Sequence, residues 1–264
     1  MCILEEVIMF IVPIIEFIVC FLILKWLIRQ KTGESFSRKA IVKFLLLGAV
    51  SVTAVFAVLF PFPVEADTFF HFNPLINGFL TALLTAALAE EIMKYIFFRL
   101  AIRKNSEVSC WLDAVIAAVI VAIGFTLLED ISYLFDGAKS VLRVILPGHL
   151  LFQAVMGYYY GKARVTKQFR YDILSLVVPI LLHTAMDMFL IALMSIFGSP
   201  QVLNELTESN ITAEEITALP YYNWMIPLLI CAFAMFIFIF IGLILMARKI
   251  SRWSKNGELQ EKLQ

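Results

Sequence analysis

The chain is poor in charge. Asp, Glu, Lys and Arg make up 16% of its 264 residues, while hydrophobic types make up 61%. Soluble domains carry about 25% charged residues, so a water-facing globular fold is excluded for most of this chain. The formal net charge is zero, which leaves no basic footprint for nucleic acid and no acidic surface. Cysteine is scarce and scattered: Cys2, Cys20, Cys110 and Cys231 form no C-x-x-C pair. Neither a disulfide frame nor a thiolate metal centre is predicted. There is no H-E-x-x-H, so a metal site built on one helix, as in the soluble zincins, is excluded. The N-terminus lacks the basic start and small-residue cleavage site of a signal peptide, and the first apolar run is expected to be retained. No internal repeat, low-complexity linker or separate soluble domain is visible.

What remains is apolar sequence in long runs. Lipid admits only helices or closed barrels, because every backbone polar group must be satisfied within the protein. The runs are too long for barrel strands and do not alternate. A helical span needs roughly 20 apolar residues, and about seven such runs are predicted: residues 7–28, 40–60, 78–102, 111–135, 140–161, 173–197 and 223–247. The fold class is therefore all-α, a polytopic transmembrane helix bundle forming one integral membrane domain over 1–264, multi-pass in the cell membrane.

Loop charge orients it. Arg29, Lys31, Arg38 and Lys39 lie in the first loop, Arg103 and Lys104 in the third, and Lys162, Arg164, Lys167 and Arg170 in the fifth. Arg248, Lys249, Arg252 and Lys255 lie in the tail. The second loop has Glu65 and Asp67, and the sixth has Glu205, Glu208, Glu214 and Glu215, with no Lys or Arg in either. Among the longer loops basic and non-basic alternate, so the N-terminus is expected outside and the C-terminus in the cytoplasm.

Against this apolar background a few ionisable residues stand at depth. An Arg, Lys or Asp at a helix centre costs about 2.5–3.5 kcal/mol on insertion scales, so such groups persist for a function. The third run carries Glu90, Glu91 and Lys94, the fourth Glu129 and Asp130, the fifth His149 and Gln153, and the sixth His183 and Asp187. At ~1.5 Å per residue, Glu91 lies roughly 20 Å, His149 roughly 14 Å and Glu129 roughly 9 Å below the outer ends of their helices. His183 lies roughly 15 Å above the inner end of its helix. These depths overlap, which predicts one shared polar site near mid-membrane.

Residues four apart share a helix face, so Glu90 can reach Lys94, His149 can reach Gln153 and His183 can reach Asp187. Adjacent helix residues point about 100° apart. One glutamate of the pair is therefore expected to face the site, and the other to meet Lys94 or a neighbouring helix. Two imidazoles and a carboxylate with one open position make a catalytic zinc-type set. Asp187 suits the role of orienting His183 through its second ring nitrogen, and a spare glutamate could act as general base. Blander readings compete. Glu90 and Lys94 can be a buried ion pair that holds helices together. Either histidine can be an interhelical hydrogen-bonder. Gly157 and Gly161 have the small-xxx-small spacing of close helix packing. Glu16 and Lys43 have no evident partner, and His71 among Phe69, Phe70 and Phe72 reads as interfacial.

Four segments, in order, resemble the PrsW-like intramembrane peptidases, relatives of the CAAX prenyl endopeptidase superfamily. They are Glu90-Glu91-Ile-Met-Lys94, Gly124-Phe125-Thr-Leu-Leu-Glu129-Asp130, Pro147-Gly148-His149 running to Gly157-Tyr-Tyr-Tyr-Gly161, and His183-Thr-Ala-Met-Asp187. The likeness covers residues 78–189, within a peptidase-like core of 78–197. It departs at Asp130, where the family often has Asn, and at Thr126, where Ala is usual. The resemblance implies a membrane-embedded endopeptidase that cuts a membrane-anchored protein, such as an anti-sigma factor, in or near the bilayer. By position Glu90 and Glu91 match the family's essential glutamate pair, and Glu129, His149 and His183 its other conserved polar sites. Glu90, Glu91, His149 and His183 are then the catalytic candidates. Glu129, His149 and His183 are the metal candidates, with zinc the ion in view, and Lys94, Gln153 and Asp187 support them. In the wider superfamily a metal-free, glutamate-activated water is the alternative.

Two other classes fit part of the pattern. A buried Glu/His/Lys set suits a proton-coupled transporter, but carriers often show internal repeats, and none is visible here. A non-catalytic scaffold or binding protein of the same fold is the other, against which the retention of every polar residue argues. A receptor is disfavoured by the long polar face shared across four helices. The implied partners are a membrane-anchored protein substrate and the lipid bilayer, with no nucleic acid.

Reporter fusions after Lys104 and Gln168 are expected to score cytoplasmic, and fusions after Asp67 and Glu208 external. One reversed loop would break both the seven-span topology and the shared depth.

Overall fold

The computed structural model describes residues 3–31, 34–59, 73–135, 148–197 and 222–263. The described residues of each predicted run are helical: α1 (Ile3–Ile28), α2 (Arg38–Leu59), α3 (Pro74–Ile102), α4 (Trp111–Phe135), α5 (Gly148–Thr166), α6 (Phe169–Phe197) and α7 (Tyr222–Asn256). Five of them, α2, α3, α4, α6 and α7, are long and apolar enough to cross a membrane. The first part of the predicted fifth run, the second and sixth loops and His71 lie outside the described residues.

Several boundaries differ from the hydropathy reading, and for three of them the structure shows a local reason. Helix α3 starts at Pro74 because Asn73 caps it, accepting from the Ile76 N–H, and proline's missing N–H is harmless there. Helix α6 starts at Phe169, where Asp172 pairs with Arg164 from the end of α5. Helix α7 runs on to Asn256 because Ile250 and Trp253 bury themselves against the bundle.

Helix α4 is the axis of the bundle. In its apolar window 89% of residues are buried, against 11–28% in the other four spans. From Ala114 to Phe125 its sequence is apolar on every side, as expected of a helix surrounded by protein. Ala114, Ala117, Ala118, Ala122 and Gly124 supply the small surfaces that let neighbours approach. A Cβ on Gly48 of α2 would stand 2.0 Å from the Val121 carbonyl oxygen, and one on Gly124 2.0 Å from that of Leu45. The Gly157–Gly161 pair does the same for α5: a Cβ at Gly157 would meet Ala114 O at 2.8 Å, and one at Gly161 would meet the Trp111 ring at 2.1 Å. Large apolar side chains elsewhere face outward, with Ile226, Leu229, Ile230 and Phe233 on α7 all exposed. In a bilayer that exposure is burial in lipid.

The basic loops gather at one end of the bundle. Glu107, between α3 and α4, accepts from both the N–H and the hydroxyl of Ser37 before α2. Those two donations hold its carboxyl below the usual carboxylate range. The chain's last described residues tuck in beside them. Glu261 O and Leu259 O accept from the N–H groups of Trp111 and Leu112, and Cys110 pairs with Lys262 in an isolated bridge. Asp113 accepts from the N–H groups of Ser109 and Cys110. The otherwise orphaned donors at the start of the central helix are thus satisfied. Burial pushes the Cys110 thiol up to about 11.

The α2–α4 crossing gives the fold its sharpest test. Gly124→Ala places a methyl where a backbone oxygen lies, so the helices must separate, at about 1–3 kcal/mol if overpacking elsewhere is a guide. Thermal unfolding of the detergent-solubilised protein should show a lowered midpoint. An unchanged midpoint would contradict the close crossing.

Candidate active site

Helix α3 delivers the acidic pair through an irregularity. Residues Ala82–Ala87 form a π-helical segment between two α-helical stretches, Pro74–Thr81 and Leu88–Ile102. Such a segment adds a residue to the turn and rotates the helix beyond it, and π-helical turns recur at functional sites. The run Thr-Ala-Leu-Leu-Thr-Ala-Ala is mostly small, and Thr85 turns its hydroxyl back onto the Thr81 carbonyl at 2.7 Å. The next turns present Glu90, Glu91 and Lys94 to the interior, with exposures of 6%, 0% and 0%.

Lys94 is the centre of the cluster. Its Nζ lies 3.0 Å from Glu90 Oε2 and 2.9 Å from Glu91 Oε1. It lies a further 2.9 Å from His149 Nδ1 on α5. The ring of Phe125 on α4 lies under it, 3.8 Å from Nζ to the centroid. Here the expectation that only one glutamate would face the site is corrected. Lys94 follows Glu90 by four residues and Glu91 by three, so it stands between their directions and draws both carboxylates to one point.

The tautomer of His149 follows from its neighbours. An ammonium can only donate, so Nδ1 accepts from Lys94. Nε2 lies 2.8 Å from Glu129 Oε2 on α4, and a carboxylate accepts, so Nε2 carries the proton. Glu129, a metal candidate by sequence, therefore stands behind the imidazole, on the nitrogen away from Lys94. His183 on α6 donates Nδ1–H to Glu91 Oε1 at 3.0 Å. Its Nε2 is 3.1 Å from Asp187 Oδ2 and 3.9 Å from Glu90 Oε2. It is buried and makes no well-aligned hydrogen bond among the described residues. Gln153 does not pair with His149 as the four-residue spacing predicts. Its Nε2 crosses to α3 and donates to Glu91 Oε2 at 2.8 Å, because a carboxylate without solvent is the stronger acceptor.

Glu91 thus has both oxygens engaged, by Lys94 and His183 on one and Gln153 on the other. Glu90 uses Oε2 alone, and its Oε1 makes no hydrogen bond among the described residues. One donor atom each from Glu90, Glu91, His149 and His183 lies within 4.8 Å of all the others. These are the four residues predicted as catalytic, brought together from three helices, with Glu129, Lys94, Gln153 and Asp187 directly around them.

Two members of the site carry little signal in the sequence. Phe152 stacks on His183 with centroids 5.3 Å apart, and Phe125 meets His149 edge-on at 5.2 Å. The two imidazoles themselves are 5.1 Å apart. Both phenylalanines are buried and wall the cluster on its apolar side. Phe152 follows His149 by three residues, the only sequence signal for it.

The stretch of chain that carries this cluster is similar to known proteins. The model of the family "PrsW family intramembrane metalloprotease" matches residues 37–205, more than half of the chain. A Protease PrsW of Oceanobacillus iheyensis is 30% identical over 149 residues, 54% of this chain and 66% of that protein. One of Halalkalibacterium halodurans is 30% identical over 157 residues, 57% of this chain and 70% of that protein. One of Bacillus subtilis is 32% identical over 124 residues, 44% of this chain and 57% of that protein. No solved structure matches the chain significantly. The matched region spans α2 to the end of α6 and contains every residue of the buried cluster, and on that footing the chain belongs to the PrsW family of intramembrane metalloproteases.

Proposed function

We propose that this chain hydrolyses a peptide bond of a membrane-anchored protein inside or at the edge of the bilayer, with Glu90 as general base and Glu91, His149 and His183 as ligands of a zinc-type ion. A single-span protein of the anti-sigma kind is the substrate class the family reading favours. The observation that carries the proposal is the convergence of two carboxylates and two imidazoles to within 4.8 Å in the interior of a membrane bundle. The family match favours this over a proton-coupled transporter or a non-catalytic scaffold.

The residues fit a metal ion. The donor set is two nitrogens and carboxylate oxygens, the chemistry of catalytic zinc. His183 Nε2 is a buried polar atom without a well-aligned partner among the described residues, which a cation would satisfy. Glu129 on the far nitrogen of His149 supplies the carboxylate–histidine arrangement that fixes ring direction and raises basicity at Nδ1. Zinc, when bound, supplies Lewis acidity toward the water and the scissile carbonyl.

The chain's own groups divide the remaining work. Glu90 has one oxygen without a hydrogen bond among the described residues and the residual access to accept a proton from water, then return it to the leaving amine. Glu91 is pinned at both oxygens and anchors the histidine of α6. Asp187 lies 3.1 Å from His183 Nε2 and adds negative charge beside the position a cation would take. Phe125 and Phe152 exclude bulk water from the imidazoles and keep the local dielectric low, which strengthens every polar interaction there.

Co-expression with tagged single-span proteins tests the proposal. Glu90→Gln keeps shape and removes the base, and cleavage should fall by about 10²–10⁴-fold, the usual share of general base catalysis, while membrane levels hold. His183→Ala should abolish cleavage, and a chelator should inhibit the wild type with zinc restoring it. Full cleavage by both variants would remove the cluster from catalysis. Glu129→Gln should weaken cleavage by about 10–100-fold, as loss of a carboxylate behind a ligand histidine does. An unchanged rate would leave Glu129 a packing group.

A further inference from the structure

The position of Lys94 bears on how a metal would enter. Its ammonium has three N–H donors, and three acceptors surround it: Glu90 Oε2, Glu91 Oε1 and His149 Nδ1. These belong to three of the four residues whose donor atoms cluster within 4.8 Å. A carboxylate oxygen has lone pairs to share between an ammonium and an ion. An imidazole nitrogen has one, in the ring plane. The other nitrogen of His149 is committed to Glu129 at 2.8 Å, so Nδ1 is the only lone pair this histidine can offer. It binds Lys94 or a metal ion, not both.

We infer that Lys94 is a built-in counter-cation: it occupies the centre of the ligand set when no metal is bound and must leave His149 when a divalent ion enters. The inference rests on the metal reading above and adds its regulation. Two adjacent carboxylates at 6% and 0% exposure would repel one another without a cation between them. Lys94 removes that penalty and holds both glutamates and His149 in place before the metal arrives. The same contacts oppose entry, because the ion must displace an ammonium already saturated with partners. The face of Phe125, 3.8 Å from Nζ, is a second cation contact that does not compete for the metal. It lets the ammonium yield His149 without moving into lipid.

The test is zinc affinity, not activity. Wild type, Lys94→Gln and Lys94→Arg are purified in detergent, stripped with chelator and titrated with zinc against a chromophoric competitor, with bound metal counted by elemental analysis. A competing occupant present nine-tenths of the time or more lowers apparent affinity about tenfold or more. Lys94→Gln should therefore bind one zinc about tenfold or more tighter than wild type, while Lys94→Arg, which keeps a cation, stays near wild type. Metal-free Lys94→Gln should also melt lower than wild type and gain more on adding zinc. Should the metal-free variant not survive stripping, it is purified zinc-loaded, and the rate of zinc loss to excess chelator is compared; slower loss than wild type is then expected. Equal or weaker zinc retention in Lys94→Gln would overturn the counter-cation role and leave the metal site standing. No zinc bound by any of the three would overturn the metal reading and this inference together.

Discussion

The structure depends on one electrostatic constraint: charge placed in a membrane interior must be neutralised by the protein itself. Glu90 and Glu91 are adjacent on one helix and have almost no access to water. They persist because Lys94 stands between them, and Lys94 completes its own shell by reaching across to His149. From there the demand passes outward. His149 needs an acceptor on its other nitrogen and finds Glu129 on α4. Glu91 has capacity left and takes Gln153 from α5 and His183 from α6. Four helices are locked in register by satisfying one pair of carboxylates. Removing a member leaves a buried charge uncompensated, which is far worse than never having built the cluster.

The apolar frame makes that chain of contacts reachable. Polar side chains can span helices only if the helices come close, and α4 is lined with alanine and glycine where α2 and α5 cross it. The glycines at 48 and 124 bring backbone to backbone, while Gly157 and Gly161 let α5 lie against Ala114 and Trp111. The π-helical segment Ala82–Ala87 sets the rotation of the glutamate-bearing stretch after it. At the far end, the tail caps α4 and seals its start. Packing positions the site, and the site's charge balance in turn specifies which packing is allowed.

Much of this was legible in the sequence, for a physical reason. Lipid forbids unsatisfied backbone, so spans announce themselves as long apolar runs, and the described residues of all seven runs are helical. Ionisable residues in those runs stand out because they are expensive. That is why Glu90, Glu91, Glu129, His149 and His183 could be singled out without a structure. Partners were harder. The four-residue rule paired Glu90 with Lys94 and His183 with Asp187, but it gave Gln153 to His149 when the stronger acceptor, Glu91, lay across the bundle. Within-helix spacing does not register such cross-helix competition. It also missed that a lysine three and four residues on draws both glutamates inward. Phe125 and Phe152 were not marked as wall residues among 24 phenylalanines, since nothing in an apolar side chain's identity says which neighbour it walls. The π segment was hidden in a run of small residues that reads as ordinary helix.

A membrane-embedded metalloprotease hydrolyses where water is scarce, and here two carboxylates and two imidazoles meet from separate spans, with Glu129 and Asp187 beside the rings and Phe125 and Phe152 walling them. Under the proposed function, the bond cut lies in or beside a hydrophobic segment. The most direct measurement is proteolysis by the purified chain in proteoliposomes, using single-span proteins with the new termini read by mass spectrometry. Cleavage is expected within the hydrophobic segment or at its edge, at the depth of the buried cluster. Cleavage confined to water-exposed regions far from the span, or none in any single-span protein offered, would contradict a catalytic role for the cluster.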